Sequence, residues 1–342
     1  MTPNLTINLN LIKQNYLLLK KKVSPALCAT VVKANAYGLG VDKIAPALFD
    51  AGCELFFVAT AQEGIELREI LPNAEIAVLN GIQRAKEKLE KYNLIPVLNN
   101  AHDLEKWSLE KPCILHIDTG MNRLGFSKSE IPSILSHNIR YIMSHLACAD
   151  EPSNPKNKEQ LAKLLQYKTI FPNIPFSISA SSGIFLGEEY HLDMARVGLA
   201  LYGGNPTAYV KNPMQSVLKL TAPIIAIREL KHGETLGYGA SFVADKQTKI
   251  GIIPVGYADG LFRSLENKAE VMIFGVKAKV VGRISMDLTA VDITDISNVS
   301  IGTEVDIIND TITIEDIAKQ AGTIAYEIIT NLGNRFNRVY IP

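Results

Sequence analysis

The sequence of 342 residues lacks the features that mark several large classes of protein. Lysine and arginine number 35 and so do aspartate and glutamate, which leaves no net charge to attract nucleic acid or an anionic membrane surface. No apolar run approaches the ~20 residues that span a bilayer. The N-terminus has no basic region followed by an apolar core, so we expect no signal peptide.

Cysteine is also scarce, and its spacing excludes the common metal sites. The four cysteines are scattered singly in apolar contexts, without a C-x-x-C pair or other ligand spacing: Cys28, Cys53, Cys113 and Cys148. We therefore expect reduced core thiols in a cytoplasmic protein, with no metal.

Apolar residues, by contrast, are plentiful at 47%, enough for one large or two medium domains. After an amphipathic helix at 10–22, apolar strands alternate with helical patterns. Eight such strands are predicted, at 26–32, 55–59, 75–79, 95–98, 113–117, 140–144, 176–179 and 193–197. This number and order predict an α/β fold, a (β/α)8 barrel of the TIM type. A doubly wound sheet is the rival, but no G-x-G-x-x-G follows the first strand.

The pattern changes near 205–213, where two prolines lie among polar residues. Strands then follow one another without helices, at 217–228, 249–255, 270–274, 277–282, 289–293 and 303–308, before a short helix at 314–320. We predict a barrel at 9–215 and a mostly-β domain at 216–342, with the N-terminal strand 1–8 packing on the second domain.

The first predicted barrel strand ends in the run Val31-Val32-Lys33-Ala34-Asn35-Ala36-Tyr37-Gly38-Leu39-Gly40. A lysine at such a strand end has its stem in the apolar interior, and desolvation lowers the pKa of its amine. A free amine of this kind forms imines with carbonyl groups. The alternative is a lysine whose amine simply reaches water.

Polar side chains follow most of the other predicted strands, where the chemistry of a barrel collects. They are Asn80, His116, Asp118, Arg123, His145, Ser181, Ser182 and Arg196. A guanidinium such as that of Arg123 can hold an anionic oxygen with a fixed fork of donors, although it can equally form a surface salt bridge. Hydroxyls and the exposed backbone N–H groups around Gly198 can form a phosphate cradle.

These motifs resemble those of alanine racemase, a pyridoxal-phosphate-dependent family of fold type III. The resemblance rests on the lysine run, on Asp118-Thr119-Gly120-Met121 followed by Arg123, and on Leu236-Gly237-Tyr238-Gly239-Ala240. It implies pyridoxal 5'-phosphate as cofactor, joined to Lys33 as an imine, and interconversion of L- and D-alanine to supply peptidoglycan. It also implies a cytoplasmic homodimer whose head-to-tail active sites are shared, with no nucleic-acid or membrane partner.

The resemblance also implies roles for individual residues. Lys33 and Tyr238 are implied as the two catalytic bases, for the D- and L-isomer respectively, with Tyr238 and Met286 reaching the lysine of the other subunit. Implied cofactor ligands are Lys33, Tyr37, Arg123, His145, Ser182, Arg196, Gly198, Leu199 and Tyr326. Arg123 and Met286 are implied to bind the substrate carboxylate, and the entrance or supporting residues are His116, Tyr257, Asp287 and Arg338.

Two positions depart from the family pattern. Many members have a carbamylated lysine where this chain has His116, and the carbamate orients the arginine. Arg123 is then either oriented by another acceptor, an anion or water, or holds the cofactor less tightly. Many members also have cysteine at the position of Ser285, a small change from which we expect little effect.

Three other functions are alternatives to alanine racemase activity. A racemase of broader specificity, for example for serine, keeps all the motifs. A fold type III amino-acid decarboxylase would require an acidic residue where Arg196 stands. A non-enzymatic cofactor-homeostasis protein shares the lysine motif but has one domain, so the segment after residue 215 counts against it.

Overall fold

The computed structural model describes residues 2–133, 137–207 and 209–342. It contains two compact units, one within Ile12–Gln215 and the other formed by residues 2–11 together with Ser216–Pro342. The chain begins with strand β1 (Asn4–Asn8) and helix α1 (Leu9–Val23). Within the described ranges, none of the helices has the length and apolar character needed to cross a membrane.

Eight parallel strands of the first unit close into a barrel. They are β2 (Leu27–Val31), β3 (Leu55–Val58), β4 (Glu75–Val78), β5 (Ile95–Leu98), β6 (Cys113–His116), β7 (Ile139–Met143), β8 (Phe176–Ser177) and β9 (Met194–Val197). Pairing of β9 with β2, which sets Leu27 opposite Met194, completes the ring. Most of the strand residues are buried, as expected when helices cover the outside and side chains fill the interior. The predicted barrel is confirmed.

Helical segments connect most of these strands. They are α2 (Lys33–Tyr37), α3 (Val41–Asp50), α4 (Ala61–Ile70), α5 (Lys86–Lys91), α6 (Ala101–Lys106) and α7 (Pro155–Leu165). Helix α4 begins at a capping box, in which Thr60 Oγ1 accepts from the N–H of Glu63 and the Glu63 carboxylate accepts from the N–H of Thr60. Between β8 and β9 the described chain forms short 3-10 turns, Gly183–Phe185 and Glu188–Tyr190.

The second unit is mostly β, as predicted. Its further elements are β10 (Leu218–Pro223), β11 (Ala226–Leu230), β12 (Thr235–Leu236), β13 (Phe242–Val243), β14 (Thr248–Ile253), β15 (Glu270–Ile273), β16 (Val276–Lys279), β17 (Thr289–Asp292), β18 (Glu304–Ile308), α8 (Ile314–Ala321), α9 (Ala325–Thr330) and β19 (Asn337–Ile341). They form a six-stranded sheet in the order β16-β15-β18-β10-β1-β19, a three-stranded sheet β11-β14-β17 and a hairpin β12-β13.

Strand β1 lies inside the larger sheet of this second unit. It pairs antiparallel with β10 and parallel with β19. The single strand predicted at 217–228 is wrong, because the chain leaves the larger sheet after Pro223 and enters the smaller sheet at Ala226. Proline cannot donate to a ladder and is typical of such a break.

Two neighbouring leucines of α1 test how much the core contributes to stability. Leu19 is fully buried, whereas Leu18 is 42% exposed. We expect Leu19→Ala to lower the free energy of unfolding by about 2–5 kcal/mol, because it removes apolar contacts and leaves a cavity. Leu18→Ala, the matched control, should change it by less than about 1 kcal/mol, since alanine is also a good helix former. Urea denaturation of both variants measures the difference, and equal losses would contradict the described packing of α1.

Candidate active site

Lys33 follows β2 at the carboxyl end of the barrel strands, and the backbone after it is unusual. Ala34, Asn35, Ala36 and Tyr37 have φ angles between +52° and +57°, so the chain makes a left-handed turn. Each such residue costs roughly 1–2 kcal/mol in an L-amino-acid chain. Consecutive strained residues persist only where the surroundings hold them, and they are concentrated at functional sites.

Two side chains hold this left-handed turn. Glu63 accepts the N–H of Ala34 at 2.8 Å through one oxygen and the N–H of Ala59 at 2.7 Å through the other. The Asn35 side chain accepts the N–H of Val41 at 2.8 Å, which joins the turn to α3. The capping residue of α4 therefore also fixes the backbone next to Lys33.

The amine of Lys33 is partly buried. Burial lowers its pKa from the ordinary value, Arg123 lowers it further, and Glu63 opposes both. More of this amine is unprotonated near neutral pH than in an exposed lysine. Lys33 is therefore suited to act as a nucleophile and as a proton acceptor.

Arg196 lies on β9 and is almost completely buried. Its guanidinium donates to Ser177 Oγ and, at 2.6 Å, to the carbonyl of Ser144, and lies 3.4 Å from His145 Nδ1. Burial lowers its pKa to about 10, so it stays charged near neutrality. Within the described residues, these three partners of the guanidinium, a hydroxyl, a carbonyl and an imidazole, are all neutral. A buried charge without a counter-ion is costly, which favours an electron-rich ligand atom at this position.

His145 follows β7 and faces the guanidinium of Arg196. Burial and then Arg196 lower the pKa of its imidazole to about 3, so the ring is neutral at physiological pH. Because a guanidinium can only donate, Nδ1 of His145 is the acceptor and the ring proton is on Nε2. The backbone carbonyl of His145 accepts from Gln160 Nε2 at 2.9 Å, which fixes the strand end.

His116, at the end of β6, is also neutral, and its tautomer is fixed. The amide of Asn99 donates at 2.9 Å to the carbonyls of both Leu79 and Val97, so its oxygen must accept from His116 Nδ1 at 2.8 Å. Burial and then Arg196 lower the pKa of His116 to about 4. The ring therefore has its proton on Nδ1 and a lone pair on Nε2.

Arg123 is carried by a tightly folded loop after β6. One carboxylate oxygen of Asp118 accepts the N–H groups of Gly120, Met121 and Asn122 at 2.9–3.1 Å. Arg123 itself is exposed. Its charge nevertheless lowers the pKa of Lys33, His116 and His145, so the loop places Arg123 at the same end of the barrel.

The structure also brings Tyr37 next to Gly198. A Cβ atom at Gly198 would lie 2.3 Å from Tyr37 Oη, so only glycine fits and Tyr37 packs directly against the backbone at this strand end. Ser181 Oγ accepts the N–H of Gly198 at 3.1 Å, and the 3-10 turn Leu199–Tyr202 begins at the next residue. Ser182 precedes the 3-10 turn Gly183–Phe185. Loop backbone and serine hydroxyls at the last strand ends of a barrel are groups that can hold a phosphate.

The remaining predicted residues belong to the second unit. Tyr238 lies in the turn between β12 and β13, flanked by Gly237 (φ +72°) and Gly239 (φ +70°), and is 71% exposed. Met286 is 53% exposed. The other four are Tyr257 and Asp287 in turns, Tyr326 on α9 and Arg338 on β19. The predicted residues therefore divide between a barrel group and a group on the second unit.

Several residues that build the site were not predicted. The capping pattern Thr60-x-x-Glu63 marks a helix start and could have directed attention to Glu63. Asn99 and Ser177 give no local signal in the sequence, because each contacts a residue 17 or more positions away.

The pH dependence of stability tests the neutral state of His116. Below its ordinary pKa of 6.5, a histidine in the unfolded chain gains a proton that the folded His116, with pKa about 4, does not bind. Stability is therefore complete above about pH 6.5 and declines as the pH falls towards 4. His116 should account for about 2 kcal/mol of the loss between pH 7 and pH 5, so His116→Asn should show a shallower decline.

Urea denaturation at a series of pH values measures these slopes. His102→Asn, which changes an exposed histidine on α6, should keep the wild-type slope. A wild-type slope in His116→Asn would contradict the buried, neutral state of His116.

Comparison with known proteins adds to this geometry. The family model described as alanine racemase, N-terminal domain, matches residues 7–206, and that described as alanine racemase, C-terminal domain, matches residues 217–340. Among curated proteins, the chain is 43% identical to the alanine racemase of Rickettsia canadensis (strain McKiel), covering 98% of each chain. It is 40% identical to that of Rhodospirillum rubrum, covering 99% of this chain and 96% of the relative.

Solved structures agree with these relatives. The alanine racemase from Bartonella henselae with covalently bound pyridoxal phosphate superimposes with a TM-score of 0.96 at 38% identity, covering all of both chains. The biosynthetic alanine racemase from Pseudomonas aeruginosa gives 0.93 at 30% identity over 99% of each chain. With two family models that together match most of its length and relatives aligned nearly end to end, this chain belongs to the alanine racemase family.

Proposed function

We propose that this chain is an alanine racemase, an isomerase that interconverts L- and D-alanine with pyridoxal 5'-phosphate. The observation that carries the proposal is the Lys33 amine, partly buried and of lowered pKa, at the carboxyl end of a barrel in a chain of this family. The D-alanine it makes serves peptidoglycan and hence the cell wall. A racemase of broader specificity, which also accepts serine, is the alternative with the same chemistry.

The barrel residues fit this cofactor. Lys33 supplies an amine for its aldehyde, and the strand-end residues Gly198 and Leu199, together with Ser182 at the start of the preceding 3-10 turn, are proposed to hold its phosphate. Arg196 offers a buried donor for the ring nitrogen. The other residues proposed to hold it are Tyr37, Arg123, His145 and Tyr326. When bound, pyridoxal phosphate joins the substrate amino group and withdraws electrons from Cα, which acidifies the Cα–H bond.

Arg196 gives the site its selectivity for racemisation. Because its guanidinium stays charged near neutrality, it disfavours a second positive charge on the ring nitrogen that it faces. Electron withdrawal by the bound cofactor would then be moderate, and negative charge at Cα would be only weakly stabilised. This favours return of a proton to Cα over side reactions such as transamination.

Two bases on opposite faces of Cα are required for inversion. We assign Lys33 to the proton of D-alanine and Tyr238 to that of L-alanine. An ordinary phenol has a pKa of about 10 and ionises more easily beside a cation. His145 is neutral, so Arg196 is the cation that can assist, and His145 is proposed to connect Arg196 and the phenol through hydrogen bonds.

Arg123 is proposed to hold the substrate carboxylate. Where many relatives have a carbamylated lysine, this chain has His116 with its proton committed to Asn99. Its Nε2 can accept a hydrogen bond but has no negative charge. We assign this lone pair as the neutral acceptor that orients Arg123.

The assembly proposed is a head-to-tail homodimer. Tyr238 and Met286 are exposed in the single chain, which supports their reaching Lys33 of the partner subunit. The two units are proposed as domains at 9–215 and 216–342. A cytoplasmic location is also proposed, supported by four cysteines that are all free, of which Cys28, Cys53 and Cys113 are buried.

Hydrogen exchange at Cα in heavy water tests the two bases separately. Tyr238→Phe should retain the cofactor absorption band and should still exchange the Cα hydrogen of D-alanine, because Lys33 remains. It should lose exchange of L-alanine and with it racemisation. Lys33→Ala should lose the absorption band of the bound cofactor and racemisation altogether.

Tyr209→Phe is the matched control, since Tyr209 is an exposed tyrosine outside the proposed site. It should behave as the wild type in both directions. Full racemase activity in Tyr238→Phe would refute the role of this phenol.

A further inference from the structure

Two turns of the second unit carry residues proposed to meet the substrate. The Tyr257 turn comprises residues 256–260, and the Met286 turn comprises residues 285–288. The N–H groups of Tyr257 and Ala258 donate at 3.0 Å to the carbonyls of Ser285 and Met286. A Cβ atom at Gly256 would lie 2.3 Å from both carbonyl oxygens, so the two turns touch backbone to backbone.

A single arginine joins both turns through their carboxylates. Arg335 Nε and Nη2 donate to the two oxygens of Asp259 at 2.7 and 2.8 Å, and Nη1 donates to Asp287 at 2.7 Å. Hydrogen bonds with Asp259 and Asp287 raise the pKa of Arg335. The fixed fork of a guanidinium allows this three-way geometry, which a lysine cannot reproduce.

Asp259 completes the connection to the sheet. Its side chain is only 4% exposed and also accepts the N–H of Gly256 at 2.9 Å. Its carbonyl accepts the N–H of Gly333 at 3.0 Å, and a Cβ at Gly260 would lie 2.2 Å from the carbonyl oxygen of Asn331. The segment 331–335 thus lies directly on the Tyr257 turn and continues into β19 of the six-stranded sheet.

We propose that Arg335 is a positioning residue of the racemase, which holds the Met286 turn and the Tyr257 turn in register for the substrate carboxylate. This inference rests on the proposed function, in which the Met286 backbone N–H binds that carboxylate and Tyr257 lines the entrance. Met286 immediately precedes Asp287 in the chain. Loss of the hydrogen bond between Asp287 and Arg335 therefore allows the Met286 backbone N–H, the proposed donor to the substrate carboxylate, to move out of position. Displacement of a binding group by about 1 Å can cost a large factor in substrate use.

Kinetics of the holoenzyme test this role. Arg335→Ala should raise KM for alanine roughly 10-fold in both directions while kcat changes less than about 3-fold, because the lost contact acts in ground and transition state alike. The cofactor absorption band should stay at wild-type intensity. Arg335→Lys should recover only part of the loss in KM. Arg228→Ala, which removes an exposed arginine of β11, is the control and should leave KM unchanged.

A double-mutant cycle tests the connection itself. If Asp287 acts through Arg335, Asp287→Ala should raise KM in the wild type but have no further effect in Arg335→Ala. Additive effects would overturn the inference. If Arg335→Ala does not fold, the KM values of Asp287→Ala and Arg335→Lys test the role of Arg335 instead.

Amide hydrogen exchange supplies a readout independent of activity. Peptides covering 256–260 and 285–288 should exchange faster in Arg335→Ala than in the wild type and should be unchanged in Arg228→Ala. Unchanged exchange with an unchanged KM, in a wild type that racemises alanine, overturns the role of Arg335 and leaves the proposed function intact. If Arg335→Ala loses both the cofactor absorption band and kcat, Arg335 has a general structural role, and this result also overturns the inference. A wild type that does not racemise alanine refutes the proposed function, and the exchange data still decide whether Arg335 holds the turns.

Discussion

The site depends on a stretch of backbone that L-amino acids avoid. Four consecutive residues after Lys33 have left-handed φ angles, and their cost is offset by hydrogen bonds that the side chains of Glu63 and Asn35 accept from backbone N–H groups. A chain that turned in the ordinary right-handed sense would carry Tyr37 and the segment after it in another direction. Glu63 also belongs to the capping box of α4, so the backbone next to Lys33 is tied to the packing of the barrel.

At the same end of the barrel, burial shifts the pKa values of the ionisable side chains more than ion pairs do. Arg196 stays charged with neutral partners in the described chain, while His116 and His145 are kept neutral with pKa values of about 4 and 3. The site therefore concentrates positive charge on arginines, and the imidazoles act as hydrogen-bonding groups of fixed tautomer. This arrangement suits an anionic cofactor and a substrate carboxylate.

The fold class could be predicted because its signal is local. Apolar strands alternating with helices are visible in the sequence, and the barrel is confirmed. The boundary at Pro223 was missed, since only the three-dimensional arrangement decides which sheet each strand joins. The motif residues were named from resemblance, and their roles stay predictions. Asn99, Ser177 and Arg335 escaped notice because their contacts join segments distant in sequence.

The pKa of the Lys33 amine is the most direct test of this account. It can be measured in cofactor-free protein by competitive acetylation, because acetic anhydride reacts only with the unprotonated amine. The account predicts a labelling midpoint below the ordinary lysine value of 10.5, and a still lower midpoint in Glu63→Gln, since the Glu63 charge raises the pKa of Lys33. A midpoint at or above 10.5 would show a solvated amine and would contradict the proposed site.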